Sequence, residues 1–389
     1  MSNFYRKALY PLIKIITMRT IHLYILPIFV SIFLMKNCTT QPTQNTSSTS
    51  MTEQPVVKTD ANVGIDSMNV SNVPKMSGLS FVAPPRPFTG AVMNEVKSVN
   101  ADWIATIPYG FTRVGEAAVH YDDFGGHWWG ERLEGVRVTI DSAHRAGIKV
   151  MLKPQVYVPG GWTGGLDYAT DAEWEKWESD YEKYLMRFVK LGVEMNVEAI
   201  CVGTEFKIGA VKRAAFWRGL IAKIRKQYKG KLTYSSNWDE YPIIPFWDAL
   251  DFVGINAYMP LLDKETPSVS ELCEAWKPYF EQIKAFQLTV KKPIVFTEYG
   301  YMSVDGCAGK GWEVERRVKS LNINELAQTN AIDALHKTFA NQPWWQGGFL
   351  WKWFPDGQGH EGYFERDYTP QGKQSATVLR KWYGAYKRM

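Results

Sequence analysis

Two glutamates close short apolar runs in this chain: Glu205 ends "EAICVGTE", and Glu298 holds the same place in "KKPIVFTEYG". Two carboxyl groups flanking a pocket can divide labour. One, protonated, helps a leaving oxygen depart, while the other, ionised, attacks or activates water. Glycoside hydrolysis needs that division, and it works only if the surroundings split the proton affinities of the two groups. At a separation of about 5 to 5.5 Å the ionised carboxylate attacks the sugar itself, giving a covalent intermediate and retained stereochemistry.

The elements that would position these glutamates alternate regularly from Ser77 onward. Strand candidates are "LSFVA", "WIATIP", "IKVMLKP", "EAICVGTE", "KLTYSS", "DFVGINAY", "KPIVFTEYG" and "GGFLWKW". Amphipathic stretches lie between them. In "LEGVRVTIDSAHRAG", Leu133, Val136, Ile140 and Ala143 recur at helical spacing and Gly147 closes the turn. Trp174, Trp177, Tyr181 and Leu185 share a face of the next such stretch, with Asp171 as the expected N-cap. Eight strand and helix pairs without a Gly-, Ser- or Pro-rich break predict an α/β fold, a (β/α)8 TIM barrel, as a single catalytic domain over residues 75–389. Catalytic residues of such barrels sit at the C-terminal ends of the strands. Glu205 and Glu298 would then end the fourth and seventh strands and face each other across the mouth.

Other strand ends supply candidate partners. Tyr258, in "NAYMP", could hydrogen-bond one carboxylate and keep it ionised, or could be a core tyrosine. Asn237, Trp238 and Asn256 end the fifth and sixth strands, and amides offer donors and acceptors to sugar hydroxyls. Lys153, in "MLKPQ", is a cation at the barrel mouth that needs a carboxylate or a substrate to pair with; substrate binding is the expectation. Trp351 belongs at the end of strand eight as the floor of a sugar subsite, although Trp353 has the same parity. Trp128 and Trp129 in "HYDDFGGHWWGE" and Trp162 in "VPGGWTGGLDY" lie on glycine-containing loops of this face. There they could line further subsites or pack against the rim.

A barrel with one glutamate after strand four and another after strand seven is similar to the clan of retaining glycosidases that includes cellulases and mannanases. Within it, "HWWGERLEGVRVTIDSAHRAGIKVMLKPQV", "ICVGTEF", "VGINAYMP" and "IVFTEYGY" resemble glycoside hydrolase family 113, the β-mannanases. The resemblance implies that Glu205 is the acid/base and Glu298 the nucleophile. It implies a β-1,4-linked polysaccharide or oligosaccharide as substrate, foremost β-mannan or glucomannan, and no cofactor. Most of the clan places Asn before the acid/base to hold the sugar 2-hydroxyl, whereas this chain has Thr204.

The first 37 residues, with "MRTIHLYILPIFVSIFLMKNC", read as an export signal and resemble a bacterial lipoprotein signal. That resemblance makes Cys38 the lipidated mature N-terminus and predicts an exported protein held at the membrane or cell surface by a lipid anchor. Residues 38–74, rich in Thr, Ser, Gln and Asn and nearly free of aromatics, read as a disordered tether. The chain has 45 Lys and Arg against 40 Asp and Glu. Arg6, Lys7, Lys14, Arg19 and Lys36 precede Cys38 with no acid among them, so the mature part is neutral and offers no field for nucleic acid. Six His without a His-x-His pair argue against a metal-dependent hydrolase, so no metal site is expected. A disulfide between Cys273 and Cys307 stays open. The competing class is a non-catalytic surface lipoprotein that binds glycans on the same aromatic cleft, which leaves the two strand-end glutamates unexplained.

Overall fold

The computed structural model describes residues 68, 70–89, 91–121 and 127–387. The expected export signal, Cys38 and the tether up to residue 67 lie outside them. The strands are β1 (Met76–Phe81), β2 (Trp103–Thr106), β3 (Tyr109–Phe111), β4 (Lys149–Leu152), β5 (Gln155–Tyr157), β6 (Ala199–Thr204), β7 (Lys231–Asn237), β8 (Val253–Asn256), β9 (Ile294–Tyr299) and β10 (Trp345–Trp353). Eight of them close a parallel barrel in the order β1-β10-β9-β8-β7-β6-β4-β2, with helices in the connections. This is the (β/α)8 barrel that the alternating pattern predicts. β3 and β5 were not expected; they form a two-stranded parallel sheet just beyond β2 and β4.

Side-chain alternation along the strands makes two apolar layers. Trp103, Ala105, Met151, Val295 and Phe349 cluster inside the barrel. Their sequence neighbours Ile104, Val150, Leu152, Ile294, Phe296 and Leu350 join the larger core, which includes Val136 and Ile140 of the helix Leu133–Arg145. Gly78 is required where β1 passes Phe349, because a Cβ there would lie 2.4 Å from the ring. The helix Asp171–Glu194 buries Trp174, Trp177, Tyr181 and Leu185 as expected, but its cap is Thr170 rather than Asp171. The Thr170 hydroxyl accepts from the Glu173 N–H at 3.3 Å, and the Glu173 carboxylate accepts the Thr170 N–H at 3.0 Å. This reciprocal box satisfies two helix-end donors together, and Asp171 becomes the first helical residue. Cys273 and Cys307 are both free thiols. Among the described residues, no helix is long and apolar enough to cross a membrane.

Register brings the site together. Asn237 pairs with Asn256, and Asn256 with Glu298, so three strands end in one row at the C-terminal mouth. Behind that row, the residue after Glu298, Tyr299 of β9, is tied to the last helix by a buried polar chain. His336 Nε2 lies 3.2 Å from the Tyr299 hydroxyl and its Nδ1 lies 2.7 Å from the Tyr386 hydroxyl. Tyr299 in turn meets the Tyr383 hydroxyl at 2.8 Å, and Tyr383 donates to the Gly78 carbonyl at 2.7 Å.

Burial drives the His336 imidazole down to about 3, so the folded protein keeps it neutral where the unfolded chain takes up a proton. Its share of stability is complete above about pH 6.5 and is lost as pH falls toward 3, at about 1.4 kcal/mol per pH unit. Urea unfolding of wild type and His336→Gln at several pH values checks this. The wild type should lose stability more steeply by about that slope between pH 6 and 4; parallel curves would show that His336 is not kept neutral.

Candidate active site

Glu205 follows the last residue of β6 and Glu298 is the penultimate residue of β9, so both stand at the mouth. Each is only 3% exposed. The backbone of Glu205 is left-handed, with φ at +56°, a conformation that glutamate seldom takes. The neighbouring strand β7 holds it there. The Glu205 N–H donates to the Ser235 carbonyl at 2.8 Å, and the next N–H, of Phe206, donates to the Tyr234 hydroxyl at 2.7 Å. The departure from strand geometry turns the carboxyl into the cleft.

The two carboxyls are dressed differently. Lys153, 0% exposed, forms an ion pair with Glu298 Oε1. The same oxygen accepts from Gln155 Nε2 at 3.0 Å, and Oε2 accepts from the Tyr258 hydroxyl at 2.9 Å. Three donors, one of them cationic, converge on Glu298, and an ionised carboxylate is the acceptor-only form that takes all three. Among the described residues, no cation forms an ion pair with Glu205. Its Oε1 accepts from Asn256 Nδ2 at 2.8 Å and its Oε2 from the Trp162 indole N–H at 2.9 Å. Burial, and next the charge of Glu298, push the Glu205 carboxyl above the usual carboxylate range. The two carboxyls are therefore unequal: the surroundings of Glu205 raise its proton affinity, and those of Glu298 offer a cation and two neutral donors.

The inner wall fixes the orientation of Asn256. Its Oδ1 accepts from the Ser235 hydroxyl at 2.7 Å and from the Thr297 hydroxyl at 3.1 Å, which leaves the amide nitrogen to face Glu205. A cleft opens over both glutamates, lined by Tyr109, Trp162, Thr204 and Trp351 among others. Beside it, a second lobe borders Glu205 but not Glu298 and carries Asn237, Trp238 and Trp312. The Trp238 and Trp312 rings lie parallel, 6.4 Å apart and inclined by 5°. Among the described residues, no three His, Cys, Asp or Glu side chains group as a metal site.

Several sequence candidates sit elsewhere than expected. Lys153 does not line the cleft: its ammonium is enclosed against Glu298, the carboxylate alternative to a substrate contact. Trp128 and Trp129 pack into the rim, edge-on to His360 at 5.1 Å and to Phe88 at 6.0 Å, because the 3-10 turn Trp129–Glu131 folds them against the barrel. Trp351 borders the cleft, whereas Trp353 is buried. Gln155 was not among the expected site residues, although it stands two residues after Lys153 and so shares its side-chain parity. Trp312 carried no sequence signal, being one aromatic in a short helix, Gly311–Arg317.

Comparison with known proteins fits this geometry. No curated protein sequence matches the chain. Among solved structures, a glycoside hydrolase family 113 β-mannanase from Alicyclobacillus acidocaldarius, in complex with ManMIm, superposes with a TM-score of 0.71 at 23% identity, over 81% of this chain and 99% of that one. A β-glucuronidase from Ruminococcus gnavus superposes with a TM-score of 0.54 at 16% identity, over 80% of this chain and 50% of that one. At these identities the likeness shows a shared barrel. The model of Glycoside Hydrolase Family 113 matches residues 87–373, which include every strand of the barrel but β1 and both glutamates. A match over most of the chain settles the assignment: the protein is a glycoside hydrolase and belongs to family 113.

Proposed function

We propose that the enzyme cleaves β-1,4-linked mannan or glucomannan with retention of configuration, Glu298 acting as nucleophile and Glu205 as acid/base. The observation that carries this reading is the unequal dressing of the two carboxyls, a cation and two further donors on Glu298 against burial and two neutral donors on Glu205. The choice of mannan is supported by the β-mannanases among the similar structures.

In the first step a Glu298 oxygen attacks the anomeric carbon while the bond to the leaving sugar breaks. The departing oxygen keeps the electron pair and takes the proton from Glu205, leaving a glycosyl ester on Glu298. In the second step Glu205, now a carboxylate, removes a proton from water as that water attacks the same carbon. The ester C–O bond breaks, its electron pair returns to Glu298, and two inversions restore the β configuration. Lys153, Gln155 and Tyr258 hold the Glu298 carboxylate in line and receive its returning charge. The raised proton affinity of Glu205 keeps the acid loaded for the first step. The reading extends to location: the protein is exported and anchored through lipidated Cys38, which the signal-like leader supports.

The two glutamate variants should fail in opposite ways. Glu298→Ala should lose activity on every substrate, because no glycosyl ester forms. Glu205→Ala should lose about 10²- to 10⁴-fold on mannan, yet keep a burst on a nitrophenyl glycoside, whose phenolate departs unaided. Azide, which needs no general base, should speed its turnover. For the wild type, kcat/KM on mannan should fall on the alkaline side as Glu205 loses its proton, at a pH above the ordinary carboxylate range, and Glu205→Ala should lack that limb on the nitrophenyl substrate. A burst in Glu298→Ala instead would reverse the assignment, and wild-type rates in both variants would end it.

The anchor is checked by growing cells with a labelled fatty acid. Label should enter the protein and disappear in Cys38→Ser; label that persists there, or never enters, contradicts the lipid anchor.

A further inference from the structure

The cleft continues past Glu298 along the end of β10, and its wall there is charged. Next to Trp351, the Lys352 ammonium donates to Glu361 Oε1 at 2.7 Å and lies 3.4 Å from Asp367 Oδ2. Lys352 is 3% exposed and Asp367 is fully buried. Lys352 and Glu361 border the same cleft as the two catalytic carboxyls. The second oxygen of Glu361 accepts the His360 N–H at 3.1 Å, so both ends of this carboxylate are tethered while its side chain stays 17% exposed. No other sequence feature or step of the reaction described above uses this pair.

Its position relative to the scissile bond follows from the two lobes. The lobe that touches Glu205 alone receives the leaving group, since Glu205 protonates it. The lobe that touches Glu298 and continues to Trp351, Lys352 and Glu361 therefore holds the glycone. We infer that the Lys352–Glu361 pair sets specificity in the glycone half of the cleft, accepting uncharged hexosyl units through their hydroxyls and rejecting uronosyl units. This inference rests on the glycosidase roles of Glu205 and Glu298 proposed above.

The chemistry of recognition is direct. A sugar hydroxyl can donate to a free lone pair of Glu361 while accepting from a neighbouring donor, and a tethered carboxylate offers that lone pair in a fixed direction. A hexuronate would bring a second carboxylate against Glu361. The cation at that wall, Lys352, already serves Glu361 and Asp367, and Lys373, on the far side, is committed to the Ser303 hydroxyl at 2.8 Å and the Asp367 carbonyl at 2.7 Å. Like charges brought together out of water oppose binding strongly, so the wall discriminates by repulsion as well as by fit.

The test compares 4-nitrophenyl β-mannobioside with the same compound carrying carboxylates in place of its C6 hydroxymethyl groups, on wild type and Glu361→Gln. Wild-type kcat/KM should favour the neutral compound by roughly 100-fold or more. Glu361→Gln should raise KM for the neutral compound about tenfold with kcat little changed, and should narrow the preference by about tenfold or more. The wild-type comparison needs no variant, so a Glu361→Gln that fails to fold leaves the inference testable. Equal turnover of the two compounds by wild type, or a folded Glu361→Gln with unchanged KM and preference, overturns the inference while leaving the glycosidase reading intact. No turnover of either compound or of mannan by wild type overturns that reading and the inference with it.

Discussion

The buried ion pair between Lys153 and Glu298 governs how the rest of the mouth is built. An isolated carboxylate in so enclosed a place would gain a proton rather than stay charged. Lys153 supplies the opposing charge from β4's end, across the barrel from β9, and Gln155 and Tyr258 take up the remaining acceptor capacity. Removing one member of such a pair strands the other and costs about 3–5 kcal/mol. The anion so held then acts on its neighbour: with burial, it is the charge of Glu298 that lifts the Glu205 carboxyl. Burial and one fixed charge together thus make the two carboxyls unequal.

Placement depends on register. A slip of one residue in β8 or β9 would turn Asn256 and Glu298 out of the row they share. Below that row, the hydroxyls of Ser235 and Thr297, 2.8 Å apart, both engage Asn256 and leave its amide one orientation. The apolar cluster around Val295 and Phe349 reaches the cleft through Ile107, Tyr109 and Trp351, which also line it. The left-handed turn at Glu205 is tolerated because Ser235 and Tyr234 of the adjacent strand receive the two N–H groups on either side of its carbonyl.

Much of this was legible in the sequence, and for physical reasons. Strand and helix periods differ, so eight alternations were countable, and a carboxylate at the end of an apolar strand is out of place unless something requires it. What eluded the sequence was pairing at a distance. Lys153 could meet a carboxylate or a sugar, and only the closed barrel shows that Glu298, 145 residues on, lies in reach. The tryptophans near 128 and 162 have similar loop contexts; the path of each loop, not its composition, sends Trp162 to Glu205 and folds Trp128 and Trp129 onto the rim. Trp312 needed the same information, since it meets Trp238 only through the connection after β9. Thr170 and Asp171 are both good caps by type, and the choice rested on the reciprocal bond with Glu173.

The central claim, that Glu298 forms a covalent bond to the sugar, is tested most directly by trapping. In 2-deoxy-2-fluoro-β-mannosyl fluoride the fluorine at C2 slows both steps by opposing positive charge at the anomeric carbon, while the fluoride leaving group lets the first step proceed without an acid. The glycosyl ester should therefore accumulate. Proteolysis and mass spectrometry of the labelled enzyme should place one sugar on Glu298, within the peptide that contains "IVFTEYG". A sugar attached to Glu205, or no label from an enzyme that releases its product with inverted configuration, would contradict the account.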